Sequence, residues 1–145
     1  MFNAAFLPRL WRLSRRRKFL LLRASVALVA ASAAVALLPF RKAIVFGSVP
    51  VGRRTKVSVE EWMWAIEAAA PRLPCRTMCI EKGLALQRLL RGSGHDAILH
   101  YGARTDPEHR KLEAHVWVSL GSEILIGGEQ AADFPELATY PPRAA

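Results

Sequence analysis

Acidic residues are missing from the first 59 positions, where twelve Lys and Arg stand without a single Asp or Glu. Residues 60–145 hold nine Lys and Arg against twelve Asp and Glu. The net charge of +9 is thus a strongly basic arm joined to a mildly acidic remainder. That division speaks against a general nucleic-acid binder, which carries its basic face on the folded body. Cysteine is scarce as well. Two Cys in 145 residues exclude a disulfide-stapled miniprotein. No internal repeat is present, and the one biased stretch is Ala-rich, residues 24–36. What is abundant is apolar: a hydrophobic content of 52% excludes a disordered chain. The length accommodates one domain of roughly 100 residues and an appendage.

The basic arm has internal order. Arg9, Arg12, Arg15, Arg16, Arg17 and Lys18 form a cationic block. Residues 19–40 are then apolar except for Arg23 and two serines, and Arg41 and Lys42 close the stretch. Three readings are open. A membrane span fits by length, since about 20 residues cross the hydrocarbon core, but Arg23 lies inside and cations flank both ends, which leaves orientation undecided. An export signal is suggested by Arg16-Arg17-Lys18-Phe19-Leu20, which resembles a twin-arginine signal, followed by the small-residue run Ala31-Ser32-Ala33. The third reading is a helix packed on the following domain or lying at a membrane surface.

Residues 43–57 contain Gly47, Pro50 and Gly52 and read as a linker. Ser58-Val59-Glu60-Glu61 fits a capping box, in which Ser58 accepts from the N–H three residues on and Glu61 reaches back. The helix that follows should end near Ala70, before Pro71, with Val59, Trp62, Ile66 and Ala69 on its core face. Thr77 is the expected N-cap of a second helix. Its Leu84, Ala85, Leu86, Leu89 and Leu90 predict burial, and Gly92 and Gly94 end it. A strand is expected over residues 97–103, with a turn at Thr105-Asp106-Pro107-Glu108. Residues 112–120 alternate: Leu112, Ala114, Val116, Val118 and Leu120 on one face, Glu113, His115, Trp117 and Ser119 on the other. Gly121-Ser122 marks a hairpin, residues 123–126 the return strand, and the Pro-rich tail from Pro135 an irregular end.

Chemistry concentrates at two positions. Cys79 falls in the first turn of the second helix, where unpaired backbone N–H groups and the macrodipole favour a thiolate, the nucleophilic form of cysteine. His115 stands mid-strand on the polar face. Together they make a nucleophile and base in principle, weighed against a Cys that is a small core hydrophobe and a His that is merely hydrogen-bonded. Zinc is the weaker alternative. Cys75-x3-Cys79 and His95-x4-His100 loosely imitate a two-Cys, two-His site, but the intervening helix separates the pairs by roughly 20 Å. No metal or other cofactor is expected.

The segment Cys79-Ile80-Glu81-Lys82-Gly83-Leu84-Ala85-Leu86-Gln87-Arg88-Leu89-Leu90 resembles the pattern C-L-x-x-A-L-A-L-x-R-L-L, and Glu113-Ala114-His115-Val116-Trp117-Val118 resembles x-A-H-A-W-V. Both are motifs of the transglutaminase-like domain of lasso-peptide maturation B proteins, the microcin-processing leader peptidases. The resemblance covers about residues 58–130 and extends loosely over the arm through Leu37-Leu38-Pro39-Phe40-Arg41. It implies an α+β fold: a papain-like cysteine peptidase core, in which a helix bearing Cys at its N-terminus packs on a small antiparallel sheet. An N-terminal helical arm over residues 1–57 would precede the peptidase domain, residues 58–145. It also implies an activity, removal of the leader from a ribosomal precursor peptide. Cys79 would attack the scissile carbonyl, with His115 as base and then acid and the backbone N–H of Cys79 as oxyanion donor. The implied partners are the precursor, a small leader-recognition protein and an ATP-dependent macrolactam cyclase, without nucleic acid. The implied place is the cytoplasm, with the arm at or near the inner face of the cell membrane. Cys75 receives no role.

The family orients its His with an Asp on the strand after the hairpin, and this chain has none there. Its matching stretch is Ile126-Gly127-Gly128-Glu129-Gln130. Glu129 is the expected third member if the glycines bend the strand, with Gln130 close behind on the correct face.

Overall fold

A computed structural model describes residues 6–143. Its elements run α1 (Phe6–Trp11), α2 (Arg15–Leu37), α3 (Phe40–Ala43), α4 (Val59–Ala69), α5 (Cys79–Gly92), β1 (Ile98–Thr105), β2 (Leu112–Leu120), β3 (Glu123–Ile126), α6 (Gly128–Ala131) and β4 (Glu136–Tyr140). The fold is α+β: helix α5 packs on one face of a four-stranded antiparallel sheet of order β3-β2-β1-β4, and α2 and α4 pack on α5 and on each other.

The apolar stretch of the arm is part of the core. One side of α2, comprising Leu20, Leu21, Ala24, Ala27, Leu28 and Ala31, is buried against α4 and α5 in the same cluster as Trp62, Ile66, Leu84, Leu90, Leu99, Val116 and Val118. Alanine and leucine at helical spacing permit close helix approach while removing apolar area from water. α2 is also the one helix among the described residues that is long and apolar enough to cross a membrane by length and composition. A carboxylate fastens the two helices. Glu61 Oε1 accepts from Arg16 Nε at 2.7 Å and Glu61 Oε2 from Arg16 Nη2 at 2.9 Å. The same Oε2 accepts from the Ser58 backbone N–H at 2.8 Å, completing the expected capping box of α4. Residues 44–57 are irregular yet pinned to the end of α5. Gly52 N–H donates to Arg91 O at 2.8 Å and the buried Arg91 guanidinium donates to Val49 O at 2.6 Å.

Two local expectations are corrected. Thr77 does not cap α5. The N-cap is Met78, without a side-chain cap bond, and the Thr77 hydroxyl donates instead to Ala70 O at 3.2 Å. The tail is not irregular either: residues 136–140 form β4, pairing Tyr140 with Leu99 and Thr139 with His100. An unpaired edge of β1 offers a full row of backbone donors and acceptors, and satisfying them outweighs the weak strand signal of a Pro-flanked segment.

The alternation of β2 is as expected, but its polar face is not solvated. Val116 and Val118 meet α5 at Gly83, alongside Leu99. On the opposite face His115, Trp117 and Ser119 are each 8% exposed or less. They are covered because residues 132–136 cross that face, placing Phe134 over His115. Gly102 makes this crossing feasible: a Cβ there would sit 2.9 Å from Pro135 O and 3.0 Å from both Phe134 Cβ and Trp117 Cζ3.

Candidate active site

Cys79 is the first residue of α5 and is exposed. At that position its own N–H is among those that a helix leaves without an internal acceptor. Cys75, a free thiol of intermediate exposure, lies outside the helix. Glu81, also in the first turn, is 1% exposed. Its Oε1 is 3.8 Å from Arg76 Nε, and its Oε2 has no hydrogen-bond partner.

His115 is held firmly. Its ring stacks on Trp117 at 6.0 Å between centroids and leans on Phe134 at 5.3 Å. Its Nε2 lies 2.8 Å from Gly127 O. A carbonyl only accepts, so Nε2 carries the hydrogen and the neutral ring presents the lone pair of Nδ1. That is the tautomer a general base requires at Nδ1. The contact depends on Gly127, whose φ of +79° lies in the region that favours glycine. A Cβ there would come within 2.6 Å of Val116 O.

The expected third member does not contact the imidazole. Glu129 and Gln130 lie in the short α6, exposed, because the chain turns out of β3 at Gly127 rather than continuing as a strand. The Gly127 carbonyl holds the ring in their place. Nor does Cys79 form a hydrogen bond with His115. The structure therefore supplies an exposed thiol at a helix start and an imidazole in a fixed tautomer, and leaves them unjoined.

Beside His115 opens a cavity of about 460 Å³, lined by Arg104, Glu113, Ala114, Gln130, Asp133 and Phe134. Arg104 lies over the Phe134 ring at 4.6 Å and donates from Nε to Glu113 Oε2 at 2.8 Å. The Glu113 carboxylate raises the Arg104 pKa above its ordinary value. Further along the same face is a network that sequence reasoning passed over. His100 stacks flat on Trp117, with Nδ1 2.6 Å from Glu136 Oε2 and Nε2 2.7 Å from Ser119 Oγ. Because a carboxylate accepts, Nδ1–H donates to Glu136, and Nε2 pairs with the Ser119 hydroxyl. His100, Trp117, His115 and Phe134 thus form a continuous layer of rings. The shared parity of His100, His115, Trp117 and Ser119 along two paired strands was the available signal. Phe134 and Glu136 gave none, because β4 was not foreseen.

Among the described residues no group of three or more His, Cys, Asp or Glu is placed to hold a metal ion. The chain matches the model of the transglutaminase-like superfamily over residues 5–139, and it belongs to that superfamily. Members of that superfamily are typically enzymes, cysteine peptidases and acyl transferases among them. The match runs through α2, in keeping with the place of that helix in the core. No curated protein and no solved structure matches the chain.

Proposed function

We propose that the protein is a cysteine peptidase that removes the leader from a ribosomal lasso-peptide precursor before a partner cyclase closes the macrolactam. One observation carries this reading. In a transglutaminase-like chain, an exposed cysteine opens the helix that packs on the sheet, and that sheet presents a histidine whose Nδ1 is free to act as a base. Cys79 Sγ attacks the scissile carbonyl and its proton passes to His115 Nδ1. The tetrahedral oxyanion is met by the Cys79 backbone N–H. Collapse expels the leaving amine, which takes the proton from His115, and water then releases the acyl group. Catalytic hydrogen bonds are commonly long in unliganded enzymes and tighten around substrate. His115 lies on the sheet face turned from α5, beneath Phe134, so its meeting with Cys79 is assigned to a rearrangement on seating the precursor, which a small leader-recognition protein delivers. The precursor and an ATP-dependent cyclase place the reaction in the cytoplasm.

The test mixes the protein, a candidate precursor and its recognition protein, and follows leader release by mass spectrometry. Cleavage that survives Cys79→Ala removes Cys79 as nucleophile. Transfer of the acyl group to an added amine, without leader release, moves the assignment to another acyl-transfer enzyme of the superfamily. A reporter fused after Arg54 that is active only in the periplasm overturns the cytoplasmic placement.

A second reading rests on the absent Cys79–His115 bond: a non-enzymatic adaptor in which both residues are structural. It predicts that a mild alkylating probe at neutral pH does not favour Cys79 over Cys75. Selective, pH-dependent labelling of Cys79 counts against it.

A further inference from the structure

The core accounts for only one side of α2. The other side is apolar and open: Phe19 is 51% exposed, Leu22 62%, Val26 60%, Val29 47% and Leu37 81%. At 100° per residue these five fall on one stripe, opposite the buried Leu20, Ala24, Leu28 and Ala31. A monomeric soluble surface rarely carries so continuous an apolar strip without a partner.

We propose that this stripe is a docking surface for an anionic lipid membrane, on which α2 lies in the plane of the interface. The charge distribution chooses the occupant. Exposed Arg15 and Lys18 stand at one end of the stripe, exposed Arg41 and Lys42 beyond the other, and Arg23 flanks it with its guanidinium over Phe19 at 5.7 Å. No carboxylate occurs anywhere in residues 1–59 to repel a lipid phosphate. An apolar helix face bordered by cations is the signature of interfacial binding to anionic lipid. Trp11, 80% exposed beneath Lys18 Nζ at 5.5 Å, is of the residue type that sits at headgroup depth. A second copy of the chain fits poorly. Parallel stripes would set the Arg15–Lys18 block against itself, and antiparallel stripes would set it against Arg41 and Lys42. Crossing the bilayer fits poorly too, since it would withdraw Leu20, Ala24, Leu28 and Ala31 from the core they share with α4 and α5. This inference does not depend on the peptidase reading, because lipid binding and peptide cleavage are measured separately.

The experiment is co-sedimentation of the full chain with vesicles of phosphatidylcholine alone and with about one third phosphatidylglycerol, at low and high salt. Binding to the anionic vesicles is expected, weakening steeply with salt, together with a blue shift of tryptophan emission. The double substitution Leu22→Glu and Val26→Glu should lower the affinity tenfold or more while the circular dichroism spectrum is retained. Should that variant fail to fold, Leu22→Ser with Val26→Ser, together with quenching by brominated lipids in the wild-type protein, gives the same reading. Absence of vesicle binding by the folded wild type overturns the proposal. So does binding that the stripe variants leave unchanged. A dimer in sedimentation velocity that the stripe variants dissociate, without vesicle binding, assigns the face to a second copy and likewise overturns it.

Discussion

The two faces of the sheet are almost equally buried and chemically opposite. Under α5 the strands present Leu99, Val116 and Val118, exposed by 5% at most. Under the 132–136 crossing they present His100, His115, Trp117, Ser119 and Thr139, exposed by 8% at most. The aliphatic face has no directional requirement and is satisfied by contact alone. The ring face must place each nitrogen and hydroxyl opposite a partner, because an unpaired buried polar group forfeits its hydration. It does so for His115 Nε2 through Gly127 O and for both nitrogens of His100 through Glu136 and Ser119, and leaves His115 Nδ1 open. The lesson is a division of labour. One face supplies folding energy that tolerates substitution by size, and the other supplies oriented donors and acceptors that tolerate very little.

The sharpest way to break this division is at the chemistry. His115→Gln and Cys79→Ala should each lower leader cleavage by at least about a thousandfold, while thermal unfolding shows both variants folded. If His115→Gln cleaves at the wild-type rate, the ring face has no catalytic part. On the aliphatic face, Leu99→Ala should cost about 2–5 kcal/mol in denaturant unfolding, the range for a fully buried leucine. It should leave the turnover of the folded fraction unchanged. A smaller effect belongs to Ser119→Ala, which leaves buried His100 Nε2 without its partner at a cost of about 1–3 kcal/mol. Ser119→Thr, which keeps the hydroxyl, should recover part of it. If Ala and Thr behave alike, the hydrogen bond is not what holds His100.

The smallest effect lies away from the sheet and is read as pH dependence. The Arg16 side-chain hydrogen bond lowers the Glu61 pKa from 4.5 to about 2, helped by the Ser58 backbone N–H. A depressed carboxylate pKa means that its stabilisation is complete above about 4.5 and is lost as pH falls toward about 2. Both partners are exposed, so the contribution is modest. The difference in urea midpoint between wild type and Glu61→Gln should be constant above pH 5 and shrink through that window. A difference that persists at the acid end would show that the cap and clamp do not depend on the carboxylate's charge.

Much of this architecture was legible in the sequence because its signals are local. The capping box at Ser58 and Glu61, the helix opened by Cys79, the bounds of β2 and the Gly121 hairpin each follow from a few adjacent residues. The unforeseen parts required distant chain. β4 forms because β1 has an edge to fill, and Thr77 spends its hydroxyl on Ala70 O, seven residues back. Among side chains, with no Asp in the stretch after the hairpin, Glu129 is the partner for His115 that the sequence suggests. The ring is held instead by a backbone carbonyl, which no residue identity announces.

Sequence alone determined the division of charge, the apolar helix, the positions of thiol and imidazole, and the face on which each strand residue lies. These follow from composition and from the helical and strand periods. Only the tertiary structure decided that α2 gives one side to the core and leaves the other open, that the polar side of β2 is roofed by Phe134, and that Gly127 O selects the His115 tautomer. The reason is physical: a period says which residues share a face, but what covers that face depends on where the rest of the chain can be packed.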